Sequence, residues 1–144
     1  MREKSFLLPA FVIFFFNSHC SPAANCLITN GVKVGSCETV LEFLDVKSKI
    51  TNSGIINGAI IRSGGNLELH GISNGNITIM QGGFISIYGK VNGEVINKGG
   101  NVTITGHVNK LTNLFGKVLV DGIVDYSTGT IEFKKGSIVN GKEI

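Results

Sequence analysis

At 144 residues the chain is sized for one domain, and its 42% hydrophobic content is enough for a core. Thirteen basic against ten acidic residues leave a net charge of +3, and the only arginines are Arg2 and Arg62. That mild balance argues against nucleic-acid binding, which shows a clustered basic face and favours Arg for bidentate phosphate contacts.

Residues 1–24 read as a secretory signal peptide. Arg2 and Lys4 form a basic start, and Phe6 to Phe16 is an apolar run of eleven interrupted by Pro9. Such a run is too short to span a bilayer but suits a signal core, so no transmembrane span is expected. Cleavage after Ala23 places Ser21 and Ala23 at the small-residue positions. Cys20 offers a lipoprotein alternative, which His19 disfavours because lipoprotein signals carry a small residue there. Export predicts that Cys26 and Cys37, the cysteines left after cleavage, form one disulfide. It would close a loop of about ten residues and contribute about 2–3 kcal/mol on the chain-entropy model. Two cysteines with no nearby histidine fall short of a zinc set, and the spacing is not that of a redox pair, so no metal or cofactor is expected.

Residues 25–46 are assigned to an N-terminal disulfide loop and cap, and 47–144 to a repeat domain. Within the cap, Val40, Leu41 and Leu44 share one helical face, with Glu38, Glu42 and Asp45 mostly opposite. This predicts a short helix over 38–46; the competing assignment is the first strand. Residues 47–56 lead in as an irregular early coil.

The repeat proper runs as NGAIIRSGGNLELHGIS (57–73), NGNITIMQGGFISIYGKV (74–91), NGEVINKGGNVTITGHV (92–108) and NKLTNLFGKVLVDGIV (109–124). Leu67, Ile85, Val102 and Val118 form one column, and Leu69, Ile87, Ile104 and Val120 a second. A glycine column, Gly71, Gly89, Gly106 and Gly122, follows. The apolar–x–apolar–x–Gly cadence has a period of two, which means strands with one buried face. An earlier strand in each block is marked by Ile60, Ile77 and Val95, and glycine pairs separate the two strands. Glycine at fixed places is expected to supply positive φ at the corners.

A block this short cannot bury its own apolar side, so blocks must stack. The predicted fold is all-β: a single-stranded, right-handed parallel β-solenoid (β-helix) of about five coils with a short N-terminal cap, its coils about 4.8 Å apart. Asn57, Asn74, Asn92 and Asn109 would form an amide ladder at a corner. A meander of hairpins is the competing architecture, since Asn-Gly is also a hairpin turn, but hairpins do not require neighbouring blocks to match column by column. After Val124 the pattern degrades, with Ile131 and Phe133 inward and Lys134, Lys135, Lys142 and Glu143 making a polar end that discourages edge-to-edge pairing.

At GKVNGEVINKGGNVTITGHVNK and KKGSIVNG the chain resembles the bactofilins, over about residues 54–141. The resemblance implies a short-coil β-solenoid and adds self-association through the solenoid ends. Bactofilins are generally cytoplasmic scaffolds, whereas this chain begins with an export signal.

The outward column His70, Tyr88, Thr105 and Asp121 is the candidate binding stripe, for a sugar or an envelope protein. Asp121 and Asp125 straddle a corner and are the candidate carboxylates for a glycosidase, whose pair lies about 5–5.5 Å or 6.5–9.5 Å apart. Solvated surface acids are the ordinary alternative, so no residue is assigned a catalytic role. The expected function is an exported structural or binding module of the bacterial envelope or surface, in the periplasm, on the cell or secreted, without catalysis and with a capacity to self-assemble. A carbohydrate-binding or carbohydrate-acting β-helix is the alternative class, and a small periplasmic inhibitor or immunity protein a third.

Overall fold

A computed structural model describes residues 44–144 in full, together with the strand placements Pro22–Ala23, Lys33–Val34 and Thr39–Val40. The expected Cys26–Cys37 disulfide, Cys20 and the body of the expected signal segment lie outside the described residues. The chain is an all-β solenoid of about six turns, one more than the repeat alone suggests, and no helix occurs among the described residues.

Each coil has three strand-bearing faces rather than two. The first face stacks Leu44–Val46, Ala59–Ile61, Ile77–Met80 and the 95–98 and 110–115 stretches of the long strands Lys90–Ile104 and His107–Val120. The second stacks Lys49–Asn52, Asn66–Leu69, Phe84–Ile87, residues 101–104 and 117–120, and Glu132–Phe133. The third, two residues wide, stacks Thr39–Val40, Ile55–Ile56, Ile72–Ser73, residues 90–91, 107–108 and 123–124, and Ile138–Val139. All these pairings are parallel. The third face escapes a periodicity argument because one inward residue per coil (Ile56, Ser73, Val91, Val108, Val124, Val139) has nothing to alternate with.

Of the two assignments for 38–46, the described residues take the strand. Thr39–Val40 and Leu44–Val46 are strands that pair with the next coil, so this stretch continues the stack. Leu44 and Val46 are both fully buried, an alternation that overrides the helical spacing. The first-face marker also needs correction: Ala59, not Ile60, aligns with Ile77 and Val95, while Ile60 lies in the outward column of Thr78. The two second-face ladders stand as expected, fully or nearly fully buried, with Ile131 and Phe133 packed partly against their end.

The glycines divide into two physical classes. The first members of the Gly-Gly pairs hold positive φ, as at Gly64 (83°) and Gly82 (82°), where the chain turns from the first face to the second. The column Gly71, Gly89, Gly106 and Gly122 does not need positive φ. A Cβ on Gly89 would sit far inside 3.0 Å of the Gly71 carbonyl oxygen, and Gly106 meets Gly89 in the same way. The cause is a shared acceptor. Tyr88 N–H and Gly89 N–H both donate to Leu69 O (2.8 and 2.9 Å), and Thr105 and Gly106 both donate to Ile87 O (2.8 and 2.9 Å). Two consecutive donors converging on one carbonyl bend the strand and press each glycine onto the coil before it.

The lumen changes chemistry along its length. The column Val46, Ile61, Ile79 continues as Asn97 and Asn113, both buried. Asn97 Nδ2 donates to Asn113 Oδ1 (2.9 Å) and to Gly100 O (3.1 Å), while Gly100 N–H donates to Asn97 Oδ1 (2.8 Å). Asn113 Nδ2 donates to Thr130 O (2.6 Å). These amides bind the corner backbone where the corner itself shortens, as a buried polar group must to offset its desolvation.

Gly89→Ala is expected to destabilise by more than about 4 kcal/mol, because backbone stands where the methyl must go. Gly64→Ala, with open space around it, is expected to cost only about 1–2 kcal/mol for its left-handed backbone. Thermal unfolding of the two variants side by side checks this order.

Candidate functional site

The stripe His70, Tyr88, Thr105, Asp121 lies on the outer edge of the second face, one residue per coil, just before the glycine corner. The registers Leu69↔Ile87↔Ile104↔Val120 bring its members into line. His70 and Tyr88 stack, with ring centroids 4.8 Å apart and planes 11° from parallel. The coil spacing alone produces that separation. Both rings are exposed, and the next residue in line, Thr105, is small.

Beside the stripe runs a groove of about 410 Å³ whose floor includes Gly54, Gly71 and Gly89. One wall is formed by Ser53 and His70, the other by Ile55, Ile72 and Lys90. The groove exists because the glycine column has no side chains. Lys90 belongs to it and was not singled out from the sequence; its position in the column of Ile72 and His107 could have revealed it.

His70 is also tied to a charged cluster. Lys49 Nζ lies 2.7 Å from Glu68 Oε2, and His70 Nε2 lies 3.5 Å from Glu68 Oε1. The Lys49 hydrogen bond, and then that of His70, holds the Glu68 carboxyl below the ordinary carboxylate value. The same Lys49–Glu68 bond raises the Lys49 ammonium above its ordinary value. Nothing in the sequence pattern marks Glu68, because its partner Lys49 sits in the neighbouring outward column one coil away.

Asp121 and Asp125 take separate partners. Asp121 Oδ2 meets Lys134 Nζ at 3.3 Å, and Asp125 Oδ2 meets His107 Nε2 at 2.9 Å. Asp121 follows Val120 in the stripe, whereas Asp125 follows Val124 and continues the asparagine corner. That corner is an Asn57, Asn74, Asn92, Asn109, Asp125, Asn140 column by register. Asn92 Nδ2 donates to Asn74 Oδ1 (2.8 Å), an amide ladder step as expected, while Asn109 Nδ2 donates to the Asn92 backbone oxygen (3.1 Å). Among the described residues no group of three or more His, Cys, Asp and Glu could hold a metal ion, and no helix is long and apolar enough to cross a membrane.

No family model, curated protein or solved structure matches the chain. The solenoid therefore stands on its own register and burial.

The sign of the Glu68 shift makes a pH prediction. A carboxyl held low contributes stability above its unfolded value and loses it as pH falls through the folded one. The raised Lys49 contributes below its unfolded value and loses that as pH rises through the folded one. Carbon-detected NMR titration should show the Glu68 midpoint rising toward the ordinary carboxylate value in Lys49→Gln; an unmoved midpoint would show that Lys49 does not hold it.

Proposed function

We propose that this chain is an exported structural or binding module of the bacterial envelope or cell surface, without catalysis, that works through the side of the solenoid. The observation that carries this reading is the closure of the third face of its last coil. Lys142–Glu143 folds back antiparallel onto Ile138–Val139. Gly136 N–H donates to Ile144 O (3.0 Å), Ile144 N–H donates to Ser137 O (2.8 Å), and Asn140 Oδ1 accepts from Ser127 N–H (3.0 Å). Those contacts occupy edge groups that would otherwise template another strand. Growth from this end, the mode that the bactofilin resemblance implies, is thereby disfavoured, which favours the lateral faces as working surface.

A carbohydrate-binding version is favoured by the exposed His70–Tyr88 stack beside the glycine-floored groove, since saccharide sites combine an aromatic surface with a few polar groups. A carbohydrate-acting version has less support, because Asp121 and Asp125 each contact a separate basic side chain. Export agrees with the signal-like residues 1–24.

Light scattering and electron microscopy of the purified protein across concentration and salt test the main reading. A monomer is expected throughout; filaments that grow through the coil ends would overturn it. On a glycan panel, any binding at the stripe should fall at least tenfold in Tyr88→Ala and persist in Asp125→Asn.

A further inference from the structure

The corner between the first and second faces departs from the rest of the surface. In successive coils it reads Arg62-Ser63-Gly64-Gly65, Met80-Gln81-Gly82-Gly83, Lys98-Gly99-Gly100 and Leu114-Phe115-Gly116. The corner shortens by one residue where Met80 meets Lys98 and Gly99, and a further register shift at Asn97/Lys98 sets Phe115 beside Lys98. Leu114 and Phe115 end up 53% and 72% exposed. Phe84, 48% exposed, stands two coils away in the column Phe84, Asn101, Lys117. One convex ridge thus carries three large exposed apolar side chains, with lysine on both flanks.

The lysines are uncommitted. Asp45, Glu68, Glu94, Asp121 and Asp125 are each engaged by a basic group. Lys98 and Lys117 have no ion-pair partner among the described residues. Glu132 shares a hollow of about 150 Å³ with Lys117 and supplies the one acid beside the ridge, which remains net positive.

We infer that this ridge docks the protein onto an anionic lipid bilayer. Leu114 and Phe115 enter the boundary between headgroups and acyl chains, and the Lys98 and Lys117 ammonium groups reach lipid phosphates around them. Apolar side chains ringed by lysine suit that interface, where insertion and attraction to anionic lipid add together. A convex ridge of a few side chains is poorly shaped for a protein partner, whose stable interface buries about 1,200–2,000 Å² in total. This corner is separate from the His70–Tyr88 stripe, which borders the opposite edge of the second face.

Co-sedimentation of the full protein with phosphatidylglycerol–phosphatidylcholine vesicles, against pure phosphatidylcholine, tests the inference. Partition is expected on the anionic vesicles only, weaker at high salt. Leu114→Ser with Phe115→Ser should reduce it at least tenfold, and Lys98→Gln with Lys117→Gln about tenfold, while Tyr88→Ala leaves it unchanged. These exposed sites should keep the wild-type melting temperature, which circular dichroism checks. Absence of partition, or partition unaffected by both double variants, would overturn the inference. So would a dimer that Phe115→Ser dissolves, since the ridge would then serve a second copy of the chain.

Discussion

The structure depends on how closely one coil can approach the next at the glycine corner. The carbonyl of Gly71 occupies the place that a Gly89 side chain would need, and the same relation recurs from Gly89 to Gly106. Without that approach the paired donors of residues 88 and 89 could not share the Leu69 carbonyl, and the strand would not bend there. The corner therefore sets the angle between the second and third faces. It also sets the parallel register that lines up every column inside and outside the solenoid.

Inside, that register converts a short repeat into a continuous core. No coil buries enough surface alone, but Leu69, Ile87, Ile104 and Val120 become one fully buried or nearly fully buried ladder. The lumen also accepts polar residues where backbone needs partners. Asn97 and Asn113 replace isoleucine at the point where the corner loses a residue, and their amides bond to the shortened turn. A hydrophobic residue there would leave Gly100 N–H without that partner, so the asparagines are a consequence of the narrowing.

Outside, the register pairs acidic with basic side chains across coils, about 16–19 residues apart in the chain. Lys49 with Glu68, Arg62 with Asp45, His107 with Asp125 and Lys110 with Glu94 are all such clips. Individually, exposed pairs of this kind contribute little. Collectively, among the described residues, they use up most of the acids and leave specific lysines unpaired, among them Lys90 at the groove, and Lys98 and Lys117 at the ridge. Surface chemistry thus differs from edge to edge of a single face: aromatic and polar along His70–Tyr88, apolar and basic at Leu114–Phe115.

The sequence by itself determined the stacked architecture, the two second-face ladders, the stripe His70, Tyr88, Thr105, Asp121 and the asparagine corner. Each of these is a column, and a column is visible whenever blocks of nearly equal length are aligned. What the sequence did not determine was anything that depends on a few residues without a repeat of their own. Val40, Leu41 and Leu44 carried helical spacing, yet Leu44–Val46 joined the stack, because pairing with Ala59–Ile61 outweighs local preference. The third face was hidden because two residues per coil show no alternation. Only the tertiary structure decided that Asp121 and Asp125 take separate partners and that Lys49 clamps Glu68. It alone set Leu114 and Phe115 outward, since both lie in the turn between the first and second faces, where side chains face water.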